Sequence, residues 1–226
     1  MSTIVPIRFS VTPEVTALGV KVACFAVYGL DNAAYGPAFE SFRKSRLGEL
    51  KSKWERATYA EDPILKGFRQ LHEKIGKTGK RWTSSPENLR RLLLELEDFP
   101  KINPVVDIYN VVSLETGLAL GAHDIASIAG GVTLRLTTGS EKFWPIGAKE
   151  TEKVSAGEYA YCDDDNEVIC RMEVRQVEKT KVTHESKDIF FIVQGHDGMP
   201  EAAIRQTAEN LAGMITSDLG GRPVYL

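Results

Sequence analysis

Six side chains able to do chemistry lie close together in this chain: Asp107, Asn110, Ser113, Glu115, His123 and Asp124. They are set in an apolar stretch, residues 103–136, NPVVDIYNVVSLETGLALGAHDIASIAGGVTLRL. Polar groups among residues that demand burial must be hydrogen-bonded there, or each costs a few kcal/mol. Two readings follow. Asp107 and Asn110 either tie down turns and caps, or line a pocket. Asp107, His123 and Asp124 together also admit metal-assisted hydrolysis of a small molecule. Other chemistry has less support. Cys162, Cys170 and His184 lack the spacing of a zinc site. There is no G-x-S-x-G elbow, and no cysteine has an evident histidine partner. No cofactor or metal is expected.

The element that must carry Asp107 and Asn110 is a helix. Asn103 is a good N-cap and Pro104 a good first residue, Val105, Ile108, Tyr109 and Val112 follow at helical spacing, and Gly117 stands where a helix would stop. Its β-branched content argues for a strand; the two ends decide for the helix.

A second cluster is basic. Residues 40–91 hold 14 of the 28 Lys and Arg but 7 of the 31 Asp and Glu, a local balance of +7 inside a chain of net charge -3. Within it, residues 76–82 (GKTGKRW) form a glycine-containing loop too short for a P-loop. Lys77, Lys80, Arg81 and Trp82 join charge to an aromatic face, a surface suited to phosphates or an unpaired base. Solvated helix faces explain the same charges equally well.

Around these clusters the pattern predicts strands at 7–11 and 20–27 and a helix from Pro37 to Trp54 with Phe39, Phe42, Leu47 and Leu50 inward and Arg43 outward. A helix capped by Asp62 follows, with His72 beside its apolar stripe as a surface or interface histidine. Another runs from Ser84 to Phe99, with Arg90 and Arg91 outward. Strands are expected at 132–136, 143–146, 159–162, 168–177 and 189–194, then a last helix over 200–219. The fold class is α+β: one domain over 1–226, with a helical N-terminal half (1–100) packed on a β-rich C-terminal half (101–226) and closed by a C-terminal helix. Apolar content of 42% and charged content of 26% are those of a soluble globular protein. Residues 1–10 show no targeting signal, no stretch spans a bilayer, and three unpaired cysteines suit a cytoplasmic location.

The ordered series Asn103, Asp107, Asn110, Gly117, Asp124 and Arg135 resembles the tRNA-editing (B3/B4) domain of the bacterial phenylalanyl-tRNA synthetase beta chain, and more closely the free-standing proteins built from that domain. The likeness runs from about Trp82 to Gly195. It implies hydrolysis, in trans, of the ester joining a mischarged amino acid to the 3′ end of a tRNA; the alternative is a non-catalytic module binding tRNA or an amino acid-like ligand. It implies a substrate site of Asn110, Asp107, Gly121, His123 and Glu178; given a tRNA partner, the basic loop with Lys77, Lys80, Arg81 and Trp82 is the expected tRNA surface. No catalytic residue is assigned. Gly121 takes the place of the family's P-L-H-A-F-D histidine, and His123 falls on its phenylalanine, a position that suits packing or hydrogen bonding better than proton transfer. Glu178 matches the glutamate of a G-G-E-H-S-like run.

Overall fold

A computed structural model describes residues 6–97 and 99–226 of the chain. Residues 1–5, part of the stretch read for a targeting signal, and Asp98, inside the helix expected through Phe99, lie outside the described residues.

In chain order the elements are β1 (Phe9–Val11), α1 (Pro13–Leu18), β2 (Val20–Tyr28), α2 (Pro37–Lys53), α3 (Pro63–Lys74), α4 (Ser85–Glu95), α5 (Pro104–Thr116), β3 (Ala119–Asp124), β4 (Val132–Leu136), β5 (Tyr159–Asp163), β6 (Val168–Arg171), β7 (Arg175–Gln176), β8 (Ile189–His196), α6 (Glu201–Leu219) and β9 (Arg222–Tyr225). They build an α+β fold around two sheets, ordered β1-β4-β5-β6-β7 and β3-β8-β2-β9.

The apolar runs of β2 and β8 are continuous because both faces of their sheet are covered. Cys24, Ala26, Phe190 and Ile192 face the five-stranded sheet and meet Val132, Leu134 and Tyr159. Phe25, Val27, Phe191 and Val193 point the other way, onto α5 and α6. Burying a valine or phenylalanine in this way contributes about 1.5–3 kcal/mol. Helix α5 is buried from Pro104 through Leu114, between the sheet on one side and α2 and α4 on the other. That all-round burial accounts for its β-branched residues: packing overrides propensity. Its ends are those expected: the Asn103 side chain accepts from the Val106 N–H at 3.1 Å, and Gly117 closes the helix at φ 73°.

Several expectations change. Helix α4 stops at Glu95 rather than Phe99. Residues 143–146 form an isolated bridge, Pro145 with Val177, rather than a strand. The strand expected over 168–177 is two, β6 and β7, parted by a turn in which Met172 takes φ 53°, a left-handed conformation rare for a side chain of its size. The short α1 and β9 are additional to the expected elements. Arg43 and Arg90 do not face outward. Arg43 is buried, donating to the Phe99 and Pro100 carbonyls at 2.9 and 2.8 Å, and Arg90 is buried against Asp62 with its guanidinium 4.4 Å from the Trp54 ring centre. No helix among the described residues is long and apolar enough to cross a membrane.

Candidate functional site

A cavity of about 300 Å³ opens where the β3 edge of one sheet faces the β6–β7 end of the other, under α4. Asn110 enters it from α5, Gly121 from β3, Gln176 from β7, Gln194 from β8 and Tyr161 from β5. Glu173 reaches it from the turn that Met172 makes. Leu89, Leu92, Ile146 and Ile192 give it apolar walls. A few placed polar groups on an apolar lining is the ordinary constitution of a small-molecule site.

The polar floor is one connected network. Tyr161 donates its hydroxyl to Gln194 Oε1 at 2.6 Å, and Gln194 Nε2 donates to Glu173 Oε2 at 2.7 Å. Tyr159 donates to the same oxygen at 2.6 Å, while the other carboxylate oxygen meets His72 Nε2. Burial alone would neutralise both ends of this last contact. It is outweighed at Glu173 by His72 and the two other donors, which hold the carboxyl below its usual range. It is outweighed at His72 by the adjoining carboxylate, which holds the imidazolium above its usual range. His72, read from sequence as a surface or interface histidine, is instead buried beneath the cavity floor, with its protonated form favoured by Glu173. Asn110 and Gln176 differ from this network, since their side-chain amides hydrogen-bond to no described residue and are free for a ligand.

Residues 69–221 match the B3/4 domain family, which is more than half of the chain. The chain belongs to the B3/4 domain family. It is 31% identical over 145 residues to the phenylalanine–tRNA ligase beta subunit of Mycoplasma pneumoniae, covering 64% of this chain and 17% of that protein. Against the same subunit from Vibrio vulnificus it is 36% identical over 89 residues, 39% of this chain and 11% of the other. The chain thus spans less than a fifth of the length of these relatives. An N-terminal fragment of the phenylalanyl-tRNA synthetase beta-subunit from Pyrococcus horikoshii shares the fold, with a TM-score of 0.51 at 15% identity over 96% of this chain and 50% of that one.

Within this B3/4 unit most of the motif series is framework. Asn103 caps α5, and Asn32 binds it in turn at 3.1 Å. Asp107 is buried and accepts from Tyr35 Oη at 2.8 Å and the Ile102 N–H at 3.1 Å, with Arg43 at 3.5 Å. Asp124 accepts from the Ala126 N–H and the Ser186 hydroxyl, and Arg135 holds Glu141 at 2.7 Å. Of that series, Asn110 alone lines the cavity.

The five residues expected at the substrate site therefore divide. Asn110 and Gly121 come together; Asp107, His123 and Glu178 stand outside the lining. His123 is sealed in the core with Nδ1 2.8 Å from the Thr180 hydroxyl, and burial pushes its pKa down to about 3, so the ring is neutral. Alternation along β3 gives residues 121 and 123 the same face, but they stand roughly 7 Å apart along the strand. At 123 that face is closed by Thr180, whose carbonyl also accepts from the Asp124 N–H. Glu178 is half-buried and paired with Lys181. Asp107, His123 and Asp124 are each held by separate partners, and no cluster of three or more possible metal ligands occurs among the described residues.

The basic loop is more inward than its composition implied. Lys77 forms an ion pair with the buried Glu158 at 2.6 Å, and Lys77, Arg81 and Arg171 surround the Trp82 ring at 4.9, 5.4 and 4.8 Å. Lys80 and Arg81 stay exposed; Lys80 has no ion-pair partner among the described residues. Glu173, Gln194, Tyr161 and Gln176 are the site residues that sequence reasoning missed. One signal was available for Gln194, a lone polar side chain ending the apolar run of β8 (IFFIVQGH).

Proposed function

We propose that this B3/4 protein binds tRNA and hydrolyses, in trans, the ester of a mischarged aminoacyl-tRNA whose aminoacyl end enters the cavity. The observation that carries the reading is the cavity itself, which joins apolar walls to the unpartnered Asn110 amide on the family's motif helix. A primary amide both donates and accepts, so Asn110 can hold an ester carbonyl or a water beside it. The ester is activated, and a fixed water near it supplies much of the acceleration by proximity. The relatives named as phenylalanine–tRNA ligase beta subunits support a tRNA substrate. Lys80 and Arg81, exposed on the loop that Lys77 and Trp82 anchor, are the proposed contacts to the tRNA backbone.

One observation favours a second reading, a non-catalytic module that binds an aminoacylated end or an amino acid-like ligand. The one carboxylate in the lining, Glu173, is committed to His72, Tyr159 and Gln194, and so is a poor proton acceptor. Purified protein incubated with a panel of mischarged tRNAs separates the two. Release of amino acid, reduced by Asn110→Ala, supports the deacylase. Saturable binding without release supports the module. The absence of both release and binding overturns both readings.

A further inference from the structure

Gln176 crosses the cavity from one sheet edge to the other. It sits on β7, pinned by its pairing with Cys170 and by the Ile146 N–H donating to its carbonyl at 3.0 Å. Its amide lies over Gly121 on β3. A Cβ built at Gly121 would meet Gln176 Nε2 at 2.6 Å, closer than real Cβ contacts come, and the next atom, Gln176 Cδ, at 3.8 Å. The amide thus occupies the volume that any side chain at 121 would claim. It does so without a hydrogen-bond partner among the described residues. The rest of the lining offers no uncompensated charge: Glu173 is balanced by His72, and Arg175 by Glu152 at 3.1 Å.

We infer that Gln176 sets the specificity of the cavity, hydrogen-bonding the side chain of an uncharged, hydroxyl- or amide-bearing aminoacyl group. This rests on the proposed aminoacyl site and adds the class of amino acid it takes. An amide offers one donor face and one acceptor face, which match a hydroxyl or a second amide. A charged side chain would be desolvated there with no counter-ion. An apolar isostere would fit but leave the amide unpaired, and sites built around a hydrogen bond discriminate against the analogue lacking it. Glycine at 121 is what leaves room for the amide.

The test uses non-hydrolysable 3′-aminoacylamido-3′-deoxyadenosine analogues carrying Thr, Val, Gln or Glu, titrated calorimetrically into the full chain. Thr and Val are near-isosteric, as are Gln and Glu, so each pair isolates one chemical difference. The wild type should prefer Thr over Val and Gln over Glu by roughly 3- to 10-fold each. Gln176→Ala should abolish the Thr-over-Val preference and leave Val affinity within about twofold. Gly121→Ala should do the same, because its methyl displaces the flexible end of Gln176. The double variant should lose no more than either alone, as expected for two changes acting on one group. If Gly121→Ala folds poorly, Gln176→Ala and Gln176→Met carry the test, since Gln176 is part-exposed and its loss should leave the melting temperature unchanged. A Thr preference that survives Gln176→Ala, or a wild type indifferent to both pairs, overturns this inference while the aminoacyl site stands. Failure of all four analogues to bind overturns the aminoacyl site, and this inference with it.

Discussion

Replacing His72 by Gln removes the buried imidazole whose protonated form Glu173 favours. The carboxylate would keep Tyr159 and Gln194 as donors, at 2.6 and 2.7 Å, but stay buried without a counter-charge. Breaking a buried pair by removing one partner costs about 3–5 kcal/mol. The two surviving donors hold the loss near the lower end, about 3 kcal/mol. In a chain of 226 residues each kcal/mol lowers Tm by roughly 2–4 °C, so the variant should melt about 6–12 °C lower at neutral pH. The pH profile sharpens the test. Glu173 is held below its usual range, so its contribution is present above the unfolded value and fades as pH falls through the folded one. His72 is held above its usual range, so its contribution is full below the unfolded value, about 6.5, and fades as pH rises through the folded one. The gap in stability between wild type and His72→Gln should therefore be widest between the two titrations and narrow on both sides. Denaturant unfolding of both proteins between about pH 4 and pH 9 measures it. The double variant His72→Gln, Glu173→Gln should lose less than the sum of the two single ones. A Tm drop under about 2 °C, or a gap independent of pH, would refute the ion pair.

Four further outcomes are expected. Asn110→Ala should change stability by less than about 0.5 kcal/mol, because its amide has no described partner, yet abolish tRNA-end binding. Asp107→Asn should cost about 1–3 kcal/mol through Tyr35, Ile102 and Arg43; thermal melts with and without ligand distinguish the two. Gly67→Ala should destabilise by about 1–3 kcal/mol, since its methyl would lie 2.0 Å from the His196 ring, itself held between Phe68 and the Ile64 carbonyl. An unchanged melting temperature would contradict that packing. Lys80→Ala with Arg81→Ala should leave the melting temperature alone and reduce the salt slope of tRNA binding by roughly 0.7–0.9 for each phosphate left unneutralised; an unaltered slope would move the tRNA to another surface.

Local signals in the sequence locate most elements. The Asn103–Pro104 start and Gly117 stop of α5, the Asp62 cap of α3 and the apolar runs of β2 and β8 depend on residues a few positions apart, and those pairings survive in the fold. Side chains whose roles depend on distant partners are the ones that mislead. Lys77 and Trp82 look like a phosphate surface because nothing nearby in sequence reveals Glu158 or Arg171. His72 looks superficial because Glu173 reaches it only through the turn at Met172. The motif residues signal the family, but five of the six hold the framework, and the cavity is assembled from elements that share no sequence pattern.

The placement of β2 has a consequence for how the protein is made. This early strand lies inside its sheet, yet Val20 pairs with His196, Val27 with Ile189, and Phe25 with Tyr225. Neither neighbour exists until residues 189–196 and 222–225 have been translated, an interval of roughly 10–30 s at ordinary ribosome speeds. Through that time VKVACFAVY, with Lys21 as its single charge, has two unsatisfied edges and an aptitude for pairing with another nascent copy. Chains stalled or truncated before β8 should accumulate as aggregates, and yield on expression should depend on temperature and on holding chaperones more steeply than the stability of the finished protein would suggest.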